Sequence, residues 1–177
     1  MNQKQFQILK KIIIDQISHS EIDEDKLHSI STWQWVLKIL PNTNMELQIA
    51  ALAHDIERGV KPRENQRENE SYDDYKKRHS KRSADIMKKI LIKNGIEANS
   101  TKKIVDLILN HEIGGNKEAN VLQDADSISF FDIGIPSYLK RKGEDKTKAK
   151  IKWMFSRCSA QAKSYIKKLP TFKKFQH

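Results

Sequence analysis

The sequence predicts an all-α, single-domain fold. Apolar residues recur at the helical period in almost every segment, and no run alternates apolar and polar residues between hairpin turns. No internal repeat is visible, and 177 residues suffice to bury one core without disulfides.

The elements follow in order. Gln3 to Ile17 places Phe6, Leu9, Ile13 and Ile17 on one stripe and predicts the first helix. The second runs from Asp25 to Leu40 and stops at Pro41, which disfavours helical backbone in the residue before it. Asn44 caps a third helix through Leu47, Ala50, Ala51 and His54, ending near Glu57–Gly59. Val60 to Ser71 is polar, contains Pro62 and has no period; it reads either as a lid over a site or as a mobile surface loop. Ser71 opens a fourth helix, with Asp73 and Asp74 in the first turn where negative charge suits the helix dipole. That helix passes through His79, Ser83, Ile86 and Ile90 to a stop at Gly95. Ser100 starts a fifth, carrying Ile104, Leu107, Ile108 and His111 up to Gly114–Gly115, and a sixth runs from near Glu118 to Phe131. Pro136 and the charged stretch Lys140 to Lys146 are expected to separate it from a last helix, Lys148 to Leu169. The domain so read spans residues 1–169, followed by an exposed basic tail, Pro170 to His177.

Thirty-three Lys and Arg against 23 Asp and Glu give a formal charge of +10, gathered partly in runs such as Lys76–Arg78 and Lys167–Lys168. Such a surface is either simply solvated or attracts phosphates. Aromatic residues, at 7%, are not interleaved with the basic runs as base stacking requires, so charge alone does not make this a nucleic-acid reader. The single cysteine, Cys158, has no partner for an internal disulfide and reads as a small buried apolar residue. No stretch approaches about 18 uninterrupted apolar residues, which argues against a membrane span. Met1 to Ser18 has neither the apolar core nor the cleavage site of a secretory signal, so a cytoplasmic protein is expected. Nothing in the pattern indicates an oligomeric state.

The residues that carry chemistry are few. Of six histidines, His19 at a helix end and His177 in the tail promise nothing. His54 follows Leu47, Ala50 and Ala51 on a small apolar face, His79 lies in line with Ser83, Ile86 and Ile90, and His111 lies with Ile104, Leu107 and Ile108. Asp124 sits among Val121, Ala125 and Ile128, where a bare carboxylate would cost several kcal/mol of desolvation. Each alone is consistent with a hydrogen-bonded core residue or a cap. Together they are polar groups sent inward from four helices, and a divalent cation is one common solution. Adjacent residues on a helix point about 100° apart, so His54 and Asp55 share an ion only if it lies against the helix between them. A carboxylate so placed can bridge two ions.

The run Ala51-Leu-Ala-His54-Asp55-Ile-Glu-Arg58 resembles the signature of the HD superfamily of metal-dependent phosphohydrolases. His28, His54, Asp55 and Asp124 match that pattern in order and type, and Leu122-Gln-Asp124-Ala-Asp126-Ser resembles the last-ligand motif of small HD hydrolases. Asp124 and Asp126 compete for that last position, with Asp124 preferred because it takes the motif's first Asp place. His79 and His111 resemble the two further histidines of members with a two-metal centre. The likeness covers roughly Leu27 to Phe131. It implies an HD-type bundle with a central site of one or two divalent ions held by His28, His54, Asp55, His79, His111 and Asp124. Manganese, iron, cobalt, nickel, zinc and magnesium are not distinguished.

The resemblance further implies hydrolysis of a phosphomonoester or nucleotide by a metal-activated water, with Asp55 orienting or accepting its proton. Arg58, Lys81 and Arg82 are the expected cations opposite the phosphate, Arg58 counting among the catalytic groups. His79 and His111 could instead bind substrate or support the ligands of a single ion. The superfamily also includes mixed-valent di-iron oxygenases with the same six-ligand pattern. A basic nucleic-acid-binding helical protein is the non-enzymatic alternative. The final helix, with Lys152-Trp-Met-Phe-Ser-Arg157, lies outside the likeness and receives no role.

Overall fold

In the computed structural model, which describes residues 1–174, the chain runs through α1 (Gln3–Ile17), α2 (Asp23–Ile39) and α3 (Met45–Ala53) to a 3₁₀ turn, Ile56–Gly59. It continues through α4 (Tyr72–Lys93), α5 (Ala98–Asn110) and α6 (Lys117–Ser129) into a π turn, Phe130–Gly134. It closes with α7 (Ile135–Lys142), α8 (Glu144–Arg157), α9 (Ala160–Ile166) and α10 (Pro170–Lys173). There are no strands among the described residues, and one hydrophobic core serves the whole domain.

The bundle is built around α3. Leu47, Ile49, Ala50, Ala51, Leu52 and Ala53 are all fully buried, and only Glu46 and Gln48 near its start are polar, so this helix is enclosed over most of its surface. It packs on α1, α2, α5 and α6, and its small alanines let those neighbours approach closely. Its start is fixed as the sequence predicts: Asn44 Oδ1 accepts from the Leu47 N–H at 2.9 Å. Ser71 likewise caps α4 by accepting from the Asp74 N–H. Among the described residues, no helix is both long and apolar enough to cross a membrane.

The first six helices lie close to their expected places, except that α3 stops at Ala53 instead of running through His54 to near Glu57–Gly59; the C-terminal third differs more. Pro136 separates nothing: it stands in the first turn of α7, where its missing N–H leaves no intrahelical bond unmade. The expected helix Lys148–Leu169 is broken at Cys158 and Ser159, both in extended backbone, with Ser159 capping α9 through its bond to the Ala162 N–H. The expected exposed tail instead begins with α10, whose Phe172 is buried against Phe131 and Phe155 and whose Thr171 donates to the Phe131 carbonyl. His177 lies outside the described residues. Cys158 is free and buried, as read from the sequence.

Candidate metal centre

α3 ends at Ala53, and the two residues that follow carry the centre. His54 is the helix C-cap, and Asp55, at φ −111° and ψ 20°, sits in the bridge region that turns the chain into the 3₁₀ segment. The turn lets neighbouring side chains serve one locus, which a continuing helix would set about 100° apart. His111 is the C-cap of α5. Two helix C-termini therefore bring their carbonyl ends to the centre, an electrostatic setting that favours a cation. His28 on α2, His79 on α4 and Asp126 on α6 project from helix interiors.

Two groups of donors form. In one, His28, His54 and Asp126 offer ligand atoms within 4.8 Å of one another; in the other, Asp55, His79 and His111 do the same. Asp55 faces both: its Oδ1 lies 2.6 Å from His79 Nε2 and 4.0 Å from His111 Nε2, and its Oδ2 lies 3.7 Å from His54 Nε2. His28 Nε2 is 2.9 Å from Asp126 Oδ1 and 3.3 Å from His54 Nε2.

The outward nitrogens explain which way each ring points. His54 Nδ1 donates to the Ala51 carbonyl at 2.9 Å, and His111 Nδ1 to the Ile108 carbonyl at 2.7 Å. His79 Nδ1 meets Glu57 Oε1 at 2.9 Å and His28 Nδ1 meets Ser129 Oγ at 2.9 Å. A carbonyl oxygen only accepts, so the neutral rings of His54 and His111 carry their proton on Nδ1 and present a bare Nε2 inward. His111 Nε2 is buried and has no hydrogen-bond partner among the described residues, although Glu112 Oε1 lies 3.2 Å away. Buried lone pairs facing carboxylate oxygens form an arrangement that a cation resolves.

Each carboxylate is also matched from behind. Arg58 Nη2 contacts Asp55 Oδ2 at 2.8 Å, and Arg82 Nη1 lies 3.3 Å from Glu57. Arg157 bridges Asp126 and Glu112, and Lys76 pairs with Glu112. Burial alone would raise the Asp55 and Asp126 pKa values; Arg58 with His54 and His79, and Arg157 with His28 and His54, hold them well below the carboxylate range instead. Burial opposes protonation of His54 and His79 too, but Asp55 with Asp126 and the Ala51 carbonyl at His54, and Asp55 with Glu57 at His79, together outweigh it and raise both above 6.5. His111 goes the other way, pushed down by burial and by the neighbouring imidazoles.

Of the expected ligands, the structure unites His28, His54, Asp55, His79 and His111 and leaves Asp124 out. Two residues along α6 is more than half a turn, so Asp124 faces away, accepting from the Ser159 N–H at 2.9 Å and from its Oγ. Asp126 takes the last position. Lys81 is solvent-exposed and pairs with Asp85, off the centre. Arg82 holds Glu57 and the carbonyls of Val60 and Pro62, and so supports His79 rather than facing a substrate. Arg58 does line the cavity, paired to Asp55 and to Asp25. The segment 60–71 is tied down by Arg78, which contacts Glu64, Glu70 and the Asn65 carbonyl. Glu57, Glu112 and Arg157 were not anticipated. Glu112 follows His111 directly and Glu57 lies two residues after Asp55, a usable signal; Arg157 has none.

A cavity of about 800 Å³ opens on the centre, lined by His28, Asp55 and Asp126 and by the aromatic side chains of Tyr72, Tyr138 and Trp153. Residues 12–177 match the family described as domain of unknown function DUF4202. The chain belongs to that family. No curated protein and no solved structure is similar enough to match.

Proposed function

We propose that the chain is a metal-dependent phosphohydrolase of the HD type, acting on a phosphomonoester or nucleotide. The observation that carries this reading is the single carboxylate of Asp55 turned to two donor groups at once, with every imidazole held from behind so that Nε2 faces inward. His28, His54 and Asp126 together with Asp55 would hold one divalent ion, and Asp55, His79 and His111 a second. An ion there lowers the pKa of its water toward neutrality and polarises a phosphoryl oxygen.

The chain's own groups do the rest. Asp55, fixed by Arg58 and kept strongly anionic, orients a water by accepting its hydrogen bond and is a poor proton store. Arg58 positions Asp55, since its own charge is already balanced by Asp25 and Asp55. Tyr72, Tyr138 and Trp153 restrict water on the cavity side and offer faces for a planar group.

Elemental analysis of gently purified wild type and Asp55→Ala, followed by assay on p-nitrophenyl phosphate and nucleoside monophosphates, tests the reading. One or two equivalents of transition metal and phosphate release in wild type, both lost in the helical variant, are expected. Full activity in Asp55→Ala, or no metal after reconstitution, refutes it. Tightly bound iron with oxygen uptake on turnover would replace it by the oxygenase reading.

A further inference from the structure

The cations that line the cavity differ in whether a carboxylate matches them. Arg58 and Arg63 both pair with Asp25, and Lys76 pairs with Glu112. Lys142 at the end of α7 and Lys146 and Lys150 on α8 line the same cavity, and none takes part in an ion pair among the described residues. Lys142 and Lys146 are exposed, and an exposed lysine by itself implies nothing.

Lys150 is different. Its ammonium donates to Tyr72 Oη at 2.7 Å and stands 4.9 Å from the Trp153 ring centre, 5.4 Å from that of Tyr72 and 5.7 Å from that of Phe130. One phenol and three ring faces stabilise a cation only in part. Burial, and the Lys76 ammonium nearby, push the Lys150 pKa well below 10.5. Lys150 is half-buried and has no carboxylate partner among the described residues, so in a cavity that also holds the candidate metal centre it is placed to bind an anion, which would in turn favour its charged form.

We propose that the substrate carries a second phosphate beyond the one held at the metal centre, and that Lys150, flanked by Lys142 and Lys146, binds it. This rests on the hydrolase reading and narrows its substrate class from phosphomonoesters in general to compounds with two phosphates. Adenosine nucleotides with one or two phosphates are suitable probes.

The experiment measures binding of AMP, ADP and adenosine 3′,5′-bisphosphate by calorimetry to the metal-loaded protein. The variants are Lys150→Met, the double variant Lys142→Met/Lys146→Met, and Lys102→Met as a control that removes one charge from an exposed pair on α5. ADP or the 3′,5′-bisphosphate is expected to bind at least about tenfold more tightly than AMP to wild type. That preference should collapse in Lys150→Met, shrink in the double variant and persist in Lys102→Met, with metal content and helicity unchanged throughout. Equal binding of all three nucleotides to wild type overturns the proposal. So does a preference that survives Lys150→Met, or one that Lys102→Met removes as well. If Lys150→Met does not fold, the double variant on exposed positions decides: an unchanged preference there overturns the proposal. Phosphate release is followed in parallel. A wild type that shows the preference but hydrolyses nothing sinks the hydrolase reading and leaves the second-phosphate site standing.

Discussion

Alanine at Asp126 and alanine at Asp124 remove the same group two residues apart on one helix, and the structure assigns them opposite consequences. Asp126 Oδ1 lies 2.9 Å from His28 Nε2 and 3.6 Å from His54 Nε2, and it is the one carboxylate belonging to that donor group alone. Asp126→Ala should cost that group more than the roughly 10–100-fold in metal affinity that a supporting partner contributes. Asp124 touches no imidazole nitrogen of the centre; it accepts two hydrogen bonds from Ser159 and so fixes the break between α8 and α9. Two bonds to a charged acceptor, partly replaced by water in the variant, amount to about 2 kcal/mol. For a chain of this length that lowers Tm by about 4–8 °C. Chelator-competed titration with zinc and manganese, alongside thermal melts of the metal-free forms, separates the two. Asp126→Ala should lose metal and Asp124→Ala should lose stability while keeping metal. Metal lost from a folded Asp124→Ala and retained in Asp126→Ala would refute the assignment.

Three further outcomes follow from the same geometry. Glu57→Ala removes the acceptor that orients His79 and should weaken metal binding by roughly 10–100-fold without unfolding the chain, read by the same titration. Gly59→Ala should destabilise by about 1–3 kcal/mol in urea unfolding, because a Cβ there would stand 1.9 Å from the Gln16 carbonyl oxygen of α1. Asp25 is buried, which alone would raise its pKa, but Arg58, Ser20 and Arg63 hold it below 3.8. A depressed folded pKa stabilises above the unfolded value and ceases to do so as pH falls through the folded one. Asp25→Asn should therefore lower the urea midpoint at pH 7 and lower it much less at pH 3; an equal loss at both would contradict the ion-pair account.

What the sequence made legible follows from which forces are local. Helix periods, the Asn44 and Ser71 caps and the Gly95 stop are decided within a few residues, and the structure keeps them. Five of the six expected ligands meet because buried imidazoles on apolar helices have few other reasons to be there. The choice between Asp124 and Asp126 is not local: both are buried on α6, and only the packing of α9 against one side and α2 against the other decides which carboxylate faces the histidines. The break at Ser159 is hidden for the same reason. Its cap is completed by Asp124, 35 residues earlier, and no glycine or proline marks the spot.

The site itself depends on where a helix stops. Had α3 continued to Gly59, as its apolar residues suggest, His54 and Asp55 would diverge and Glu57 would lie on yet another face. Ending at Ala53, the chain passes through the bridge region at Asp55 into the 3₁₀ turn, and three polar functions within four residues reach one locus: His54 toward His28, Asp55 between the two groups, and Glu57 behind His79. The turn is held from the other side by α1, where Gln16 Nε2 donates to the Gly59 carbonyl at 2.7 Å and the missing Cβ lets the backbones touch. A short stop in the most apolar helix thus converts an adjacent His-Asp pair, ordinary as a dipeptide, into the joint between two donor groups. Metal affinity should in consequence be sensitive to Gly59, which lies outside both groups. Gly59→Ala should weaken metal binding as well as stability, whereas a loss of stability with metal affinity intact would show that the turn does not govern the centre.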